Sequence, residues 1–170
     1  MDLKKIIRDV PDFPKKGVIF KDITTLLRDK DAFKFCIDEL AKNYNGKKID
    51  KILSMESRGF ILGSALAYKL GCGFVPVRKK GKLPWQTVSI TYDLEYGTDT
   101  LEMHKDAFAP GEKILIVDDV LATGGTAHGV TKLVENIGGK VEGLCFLIEL
   151  SFLNPRKKLP GRNIFSLLTY

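Results

Sequence analysis

The order of apolar and polar side chains divides the chain into alternating helical and extended segments. Between Asp31 and Asn43 the apolar residues Phe33, Cys36, Ile37, Leu40 and Ala41 recur at helical spacing, the stripe of an amphipathic helix. Asp29 or Asp31 is placed to cap its start, and Asn45-Gly46 ends it. Lys51-Ile52-Leu53-Ser54 then reads as a short buried strand. A second helix is expected from Gly59 to Leu70, stopping at Gly71, with Gly73 to Val77 as the next strand. From Thr87 the period changes to two: Val88, Ile90, Tyr92 and Leu94 share one face of a half-buried strand. Turn residues around Gly97 return the chain as Thr100 to His104, predicting a hairpin or a long flap within about residues 79–104.

Pro110-Gly111 marks a turn, and Lys113-Ile114-Leu115-Ile116-Val117 is a continuous apolar strand of the kind buried on both faces. Val130, Leu133, Val134 and Ile137 form the stripe of another helix, closed by Gly138-Gly139. Val141 to Leu150 and Asn163 to Leu168 supply further strands. Strands alternating with amphipathic helices predict a mostly parallel twisted α/β sheet flanked by helices. No repeat or linker interrupts the pattern, so residues 1–170 are expected to form a single domain.

Composition narrows the function classes. No apolar run approaches the roughly 18 residues a membrane helix needs, and Met1-Asp2-Leu3-Lys4-Lys5 does not open a signal peptide. The expected location is cytoplasmic, with no membrane partner. Cys36, Cys72 and Cys145 are widely spaced and odd in number, which favours buried reduced thiols over disulfides or metal ligands. His104 and His128 have no partner at metal-ligand spacing. The net charge of +6 is scattered, which argues against nucleic acid as a partner. The densest basic cluster, Arg78 to Lys82, surrounds Gly81 and suits a small polyanion.

The segment with the most chemistry is Val117-Asp118-Asp119-Val120-Leu121-Ala122-Thr123-Gly124-Gly125-Thr126, where the most hydrophobic strand ends and a helix begins. In open α/β sheets, ligands bind beyond the carboxyl ends of strands. Gly124 and Gly125 let the backbone approach an anion, and Thr123 and Thr126 offer hydroxyl donors. The helix N-terminus adds N–H groups and partial positive charge. Two carboxylates beside a phosphate repel it unless they face something else. A vicinal sugar diol, helped by a hydrated magnesium ion, is a natural partner, so a ribose 5-phosphate unit satisfies both demands. The alternative is structural: Asp, Thr and Gly commonly build a turn and helix cap after a core strand. No G-x-x-x-x-G-K-[ST] and no G-x-G-x-x-G follows a strand, so ATPase and dinucleotide readings lose support.

Val117 to Thr126 resembles the phosphoribosyl-pyrophosphate signature of the type I phosphoribosyltransferase family. Four further stretches resemble its adenine branch, in the same order and spacing. They are Pro11-Asp12-Phe13-Pro14 through Phe20-Lys21-Asp22-Ile23, Glu56-Ser57-Arg58-Gly59-Phe60, Arg78 to Pro84, and Tyr92 to Gly97. Phe165-Ser166-Leu167-Leu168 is similar to that branch's C-terminal strand. The signature alone is shared with orotate, hypoxanthine and uracil relatives; the other stretches carry the adenine assignment.

The resemblance implies a transferase of purine salvage, joining adenine to 5-phosphoribosyl 1-pyrophosphate to give AMP and pyrophosphate. It implies Mg2+ bound mainly through substrate rather than by dedicated protein ligands, a homodimer, and a flexible flap or hood. Asp118 and Asp119 would hold the ribose, and Ala122, Thr123, Gly124, Gly125 and Thr126 the 5-phosphate. Arg58, Arg78, Lys79 and Lys82 would face the pyrophosphate, with Arg78 a candidate acting across the dimer interface and Lys82 the mobile member. Phe20 would stack on the base, Ile19 would present backbone groups to its edge, and Val120 or Leu121 would form the opposite wall. Glu95 would serve as acid/base group, beside Arg58 and Lys82 as catalytic residues, and Tyr96 would close over the sugar.

Each assignment has a plainer counterpart in the residues themselves. Arg58 could form a first-turn salt bridge with Glu56, and Arg78 to Lys82 could be a solvated loop. Glu95 could be an exposed turn residue, Phe20 a core residue, and Trp85, which departs from the family's loop, could pack on the lid or on a partner subunit. A different class of function also competes: a non-catalytic regulator sensing phosphoribosyl pyrophosphate and binding nucleic acid with its basic surface. No additional helix-turn-helix segment supports it, and a lid would serve a sensor less than an enzyme.

Overall fold

The computed structural model describes residues 1–93 and 98–170. Two short strands, β1 (Arg8–Pro11) and β2 (Ile19–Asp22), pair antiparallel as a separate hood. The chain continues through α1 (Thr24–Leu27), α2 (Lys30–Lys42), β3 (Lys51–Met55), α3 (Arg58–Leu70) and β4 (Gly73–Lys79). There follow β5 (Thr87–Asp93), β6 (Thr98–His104), β7 (Lys113–Leu121), α4 (Gly125–Asn136), β8 (Lys140–Glu149) and β9 (Ile164–Thr169). The large sheet has the order β5-β6-β4-β3-β7-β8-β9, parallel from β4 through β9 and antiparallel where β6 joins β4 and β5.

Local chemistry accounts for the helix limits. Asp29 is the cap of α2: its Oδ1 accepts from the N–H groups of Asp31 and Ala32, at 3.0 and 2.9 Å. The apolar stripe of α2 is buried at Ala32, Cys36, Ile37, Leu40 and Ala41. Helix α3 ends at Gly71, whose φ of +69° is the left-handed turn that glycine adopts without strain. Gly63 lets α3 settle closely on the sheet, because a Cβ there would collide with the Ser54 hydroxyl.

Strand β7 is buried on both sides, and alternation sorts its side chains between two cores. Leu115 and Val117 join Ile52, Leu62 and Leu66 on the face covered by α2 and α3. Ile114 and Ile116 join Leu53, Val75, Val130 and Leu133 on the face covered by α4. Cys36 and Cys145 lie in the first core, where burial pushes each thiol up to about 12. All three cysteines are unpaired in disulfide terms, and Cys72 is half-buried. No described helix is long and apolar enough to cross a membrane.

Three differences from the sequence pattern matter for the site. β7 runs four residues beyond Val117, to Leu121, so Asp118 and Asp119 belong to the strand rather than to the turn after it. The β1–β2 hood has no amphipathic period, and its apolar Phe13 and Ile19 are 51% and 57% exposed. The hairpin β5–β6 fastens to the main sheet through Arg78 opposite Glu102 and Lys79 opposite Leu101.

Candidate active site

The chain crosses from β3 outward to β4 on one side and reaches β7 on the other, a topological switch point that leaves a crevice at the carboxyl ends. A cavity of about 550 Å³ lies there. Ile19 and Phe20 of the hood, Glu56 and Arg58 after β3, Lys79 at the end of β4, and Asp118, Asp119 and Val120 of β7 all line it. A smaller recess of about 90 Å³ continues along Ala122, Thr123, Gly124, Gly125 and Thr126.

The recess has the form of an anion cradle. Gly124 sits at φ +80°, and a Cβ on it would stand 2.5 Å from the Pro155 carbonyl oxygen. Helix α4 opens immediately afterwards, and its first i→i−4 bond is donated by the His128 N–H to Gly124 O at 2.9 Å. The amides before His128 belong to the helix's open first turn, aimed where an anion is favoured. The Thr126 hydroxyl lies 3.4 Å from Tyr92 Oη, linking the cradle to the β5–β6 hairpin.

Asp118 and Asp119 stand where β7 meets the cavity. Asp119 is buried, and its N–H donates to Asp118 Oδ1 at 2.9 Å. Burial, and then the neighbouring Asp119 carboxylate, push the Asp118 carboxyl well above the usual carboxylate range. Adjacent carboxyl groups in that setting gain from hydroxyl donors or a cation.

Arg58 begins α3 directly after the Glu56–Ser57 peptide, which is cis. Its Nε forms an ion pair with Asp119 Oδ2 at 2.5 Å, and its guanidinium carbon lies 5.0 Å from the centre of the Phe20 ring. The first-turn bridge to Glu56 is therefore not the arrangement found. Phe20 also meets Phe13 edge-on, at 5.2 Å between centroids. It faces the cavity rather than filling a core. Val120 shares this cavity with Phe20, whereas Leu121 is buried in the α4-side core and reaches the smaller recess.

Glu56 instead gathers the basic loop. Its Oε2 accepts from Arg78 Nε at 2.9 Å, and its Oε1 accepts from the Lys79 N–H at 2.9 Å and pairs with Lys82 Nζ at 3.2 Å. Burial alone would raise the Glu56 carboxyl, but the bonds from Lys79, Arg78 and Lys82 outweigh it and hold it below the usual range. Gly81, at φ +81°, turns the loop, and its N–H donates to Glu102 Oε2 at 3.0 Å. Arg78 and Lys82 thus face Glu56 of their own chain, while Lys79 lines the cavity with Nζ 3.3 Å from Asp99 Oδ2. The loop is not simply solvated. Trp85 is 64% exposed on this chain. Glu95 and Tyr96 lie outside the described residues.

Sequence reasoning missed Glu56 as an organiser of the loop, and Tyr92 and Asp99 as cavity walls. Glu56 carried a faint signal, one acid beside a cation cluster's candidate ligand site; the register that brings Asp99 to Lys79 left none.

This crevice, with its acid pair and glycine-rich recess, lies beyond the carboxyl ends of a doubly wound sheet, where such folds bind ligands. Residues 24–166 match the phosphoribosyl transferase domain family. The adenine phosphoribosyltransferase of Geobacter metallireducens is 62% identical over 169 residues, covering 99% of both chains. The crystal structure of adenine phosphoribosyltransferase from Thermoanaerobacter pseudethanolicus superposes with a TM-score of 0.97 at 56% identity, covering 99% of this chain and 98% of that one. The Saccharomyces cerevisiae enzyme, solved with an imino-altritol bisphosphate and adenine, gives 0.92 at 42% identity, covering 98% and 97%. The chain belongs to the phosphoribosyltransferase family, in its adenine phosphoribosyltransferase branch.

Proposed function

We infer that this protein transfers the phosphoribosyl group of 5-phosphoribosyl 1-pyrophosphate to adenine, giving AMP and pyrophosphate in purine salvage. The observation that carries the reading is one crevice lined by the Phe20 ring, the Asp118-Asp119 pair and Arg58, with an adjoining glycine-rich recess, in a chain whose relatives bear this activity in their names. The 5-phosphate sits at Ala122 to Thr126 and the ribose hydroxyls at Asp118 and Asp119. Adenine stacks between Phe20 and Val120, with Ile19 backbone groups at its edge. Arg58, Lys79, Lys82 and Arg78 receive the pyrophosphate, Arg78 reaching the neighbouring site of a homodimer.

In the reaction the bond from the anomeric carbon to pyrophosphate oxygen breaks, and its electron pair leaves with pyrophosphate. The bond from adenine N9 to that carbon forms, and the N9 proton passes to Glu95 while Tyr96 covers the sugar. Fixed cations aimed at the departing charge supply the dominant stabilisation. The β5–β6 hairpin, within about residues 79–104 of one domain, acts as the flap that excludes water from the sugar cation. Magnesium carried mainly on substrate oxygens would supply charge neutralisation for the pyrophosphate, and Asp118 and Asp119 would be the carboxylates available to it. The enzyme acts in the cytoplasm.

The test is an assay of purified protein with phosphoribosyl pyrophosphate and magnesium, offering adenine, hypoxanthine, guanine and uracil separately. Adenine should be used in strong preference. Comparable use of hypoxanthine would overturn the adenine assignment, and no transfer to any base would overturn the reaction.

A further inference from the structure

The basic loop already has an anion. Glu56, with its side chain only 9% exposed, accepts through both oxygens from Arg78, the Lys79 backbone and Lys82, and it also lines the cavity. A carboxylate thus stands between the cavity and two of the cations expected to receive pyrophosphate. Resting on the reading above, we propose that Glu56 is a positioning residue that mimics pyrophosphate. It holds Arg78 and Lys82 in order while the site is empty and competes with pyrophosphate for them, which weakens product binding and speeds release.

The physical argument concerns exchange of partners. A phosphate oxygen that takes the Arg78 Nε–H or the Lys82 ammonium must displace a Glu56 oxygen now 2.9 or 3.2 Å away. The gain from the new charge-assisted bond is offset by loss of the old one and by repulsion from the carboxylate left behind. The cations need no reordering, because Glu56 and the Glu102 bond to the Gly81 N–H keep the loop folded. The competition operates whether the pyrophosphate lies in this chain's cavity or a partner's, since the same carboxylate must be left in either case. A merely structural Glu56 predicts the opposite sign: loosening the loop would weaken anion binding.

The experiment is calorimetric titration of the full chain with magnesium pyrophosphate. Glu56→Gln keeps the size and one acceptor but removes the charge, and should bind pyrophosphate about tenfold more tightly, with inhibition at correspondingly lower pyrophosphate concentration. Added to Arg78→Gln/Lys82→Gln, Glu56→Gln should bring no gain. Unchanged or weaker binding by Glu56→Gln overturns the proposal, as does a gain that survives loss of both Arg78 and Lys82. Should Glu56→Gln not fold, Glu56→Asp, which shortens the reach while keeping the charge, should also tighten binding, and unchanged or weaker binding there overturns it equally. Failure of the wild-type chain to make AMP overturns the proposed function instead, and is read in a separate assay without any variant.

Discussion

Gly59 and Asp118 fit together only because residue 59 has no side chain: a Cβ there would stand 2.5 Å from Asp118 Oδ1. The glycine occupies the first turn of α3, and the aspartate the C-terminal half of β7, so helix and strand fix the acid pair between them. Gly59→Ala should displace the Asp118 carboxylate or push α3 away from the sheet. The expected loss is about 10- to 100-fold in kcat/KM, in line with what small misplacements do to reacting geometry. Initial-rate kinetics, with circular dichroism to show that the fold persists, would check it.

Asp118→Asn should lose turnover and gain stability. The folded state raises the Asp118 carboxyl through burial and the Asp119 charge, so it holds its proton more tightly than the unfolded chain does. For such a group stability falls as pH rises from the unfolded value of about 4 toward the raised folded one. Asparagine removes that penalty and can keep the bond from the Asp119 N–H. The variant should melt at a higher temperature than wild type by roughly 2–4 °C near neutral pH, with the gap closing as pH approaches about 4. Melting curves across that range test the sign.

Arg58→Lys should behave as a disruptive change despite the conserved charge. The planar guanidinium pairs with Asp119 at 2.5 Å while lying 5.0 Å from the Phe20 ring centre, and an ammonium cannot do both. We expect kcat/KM to drop about 100-fold, of the order found when one donor to a developing charge is removed. Saturation kinetics for both substrates would show whether adenine binding suffers as well as turnover.

Gly63 and Ser54 offer a stability test remote from the chemistry. A Cβ at residue 63 would meet the Ser54 hydroxyl, which is buried without a hydrogen-bond partner among the described residues. Gly63→Ala should cost about 1–3 kcal/mol through overpacking. Ser54→Ala should be neutral or stabilising by up to about 1 kcal/mol, and should recover part of the Gly63→Ala loss. Urea denaturation of the two single variants and the double variant measures the coupling.

Much of the scaffold was legible because its signals are local. The stripe from Phe33 to Ala41 marks α2, Gly71 marks the end of α3, and the run from Lys113 to Val117 marks the central strand, each through contacts within one element. The acid pair and the small, glycine-rich turn after it were likewise readable, since a strand end and the helix start beyond it are built from consecutive residues. The hood was not: with Phe13 and Ile19 exposed and no burying face, β1 and β2 show no alternation to read.

What the linear chain determined by itself, then, was which residue types stand at the ends of which elements: Asp118-Asp119 after an apolar run, Arg58 before a helix, four cations around Gly81. Only the tertiary structure decided who pairs with whom. Arg58 sits beside Glu56 in sequence yet pairs with Asp119 across the β3–β7 junction, and Glu56 takes Arg78 and Lys82 instead. Ion pairs follow distance and burial, which sheet order and register set between segments far apart in the chain, whereas periodicity reports only a segment's own buried face.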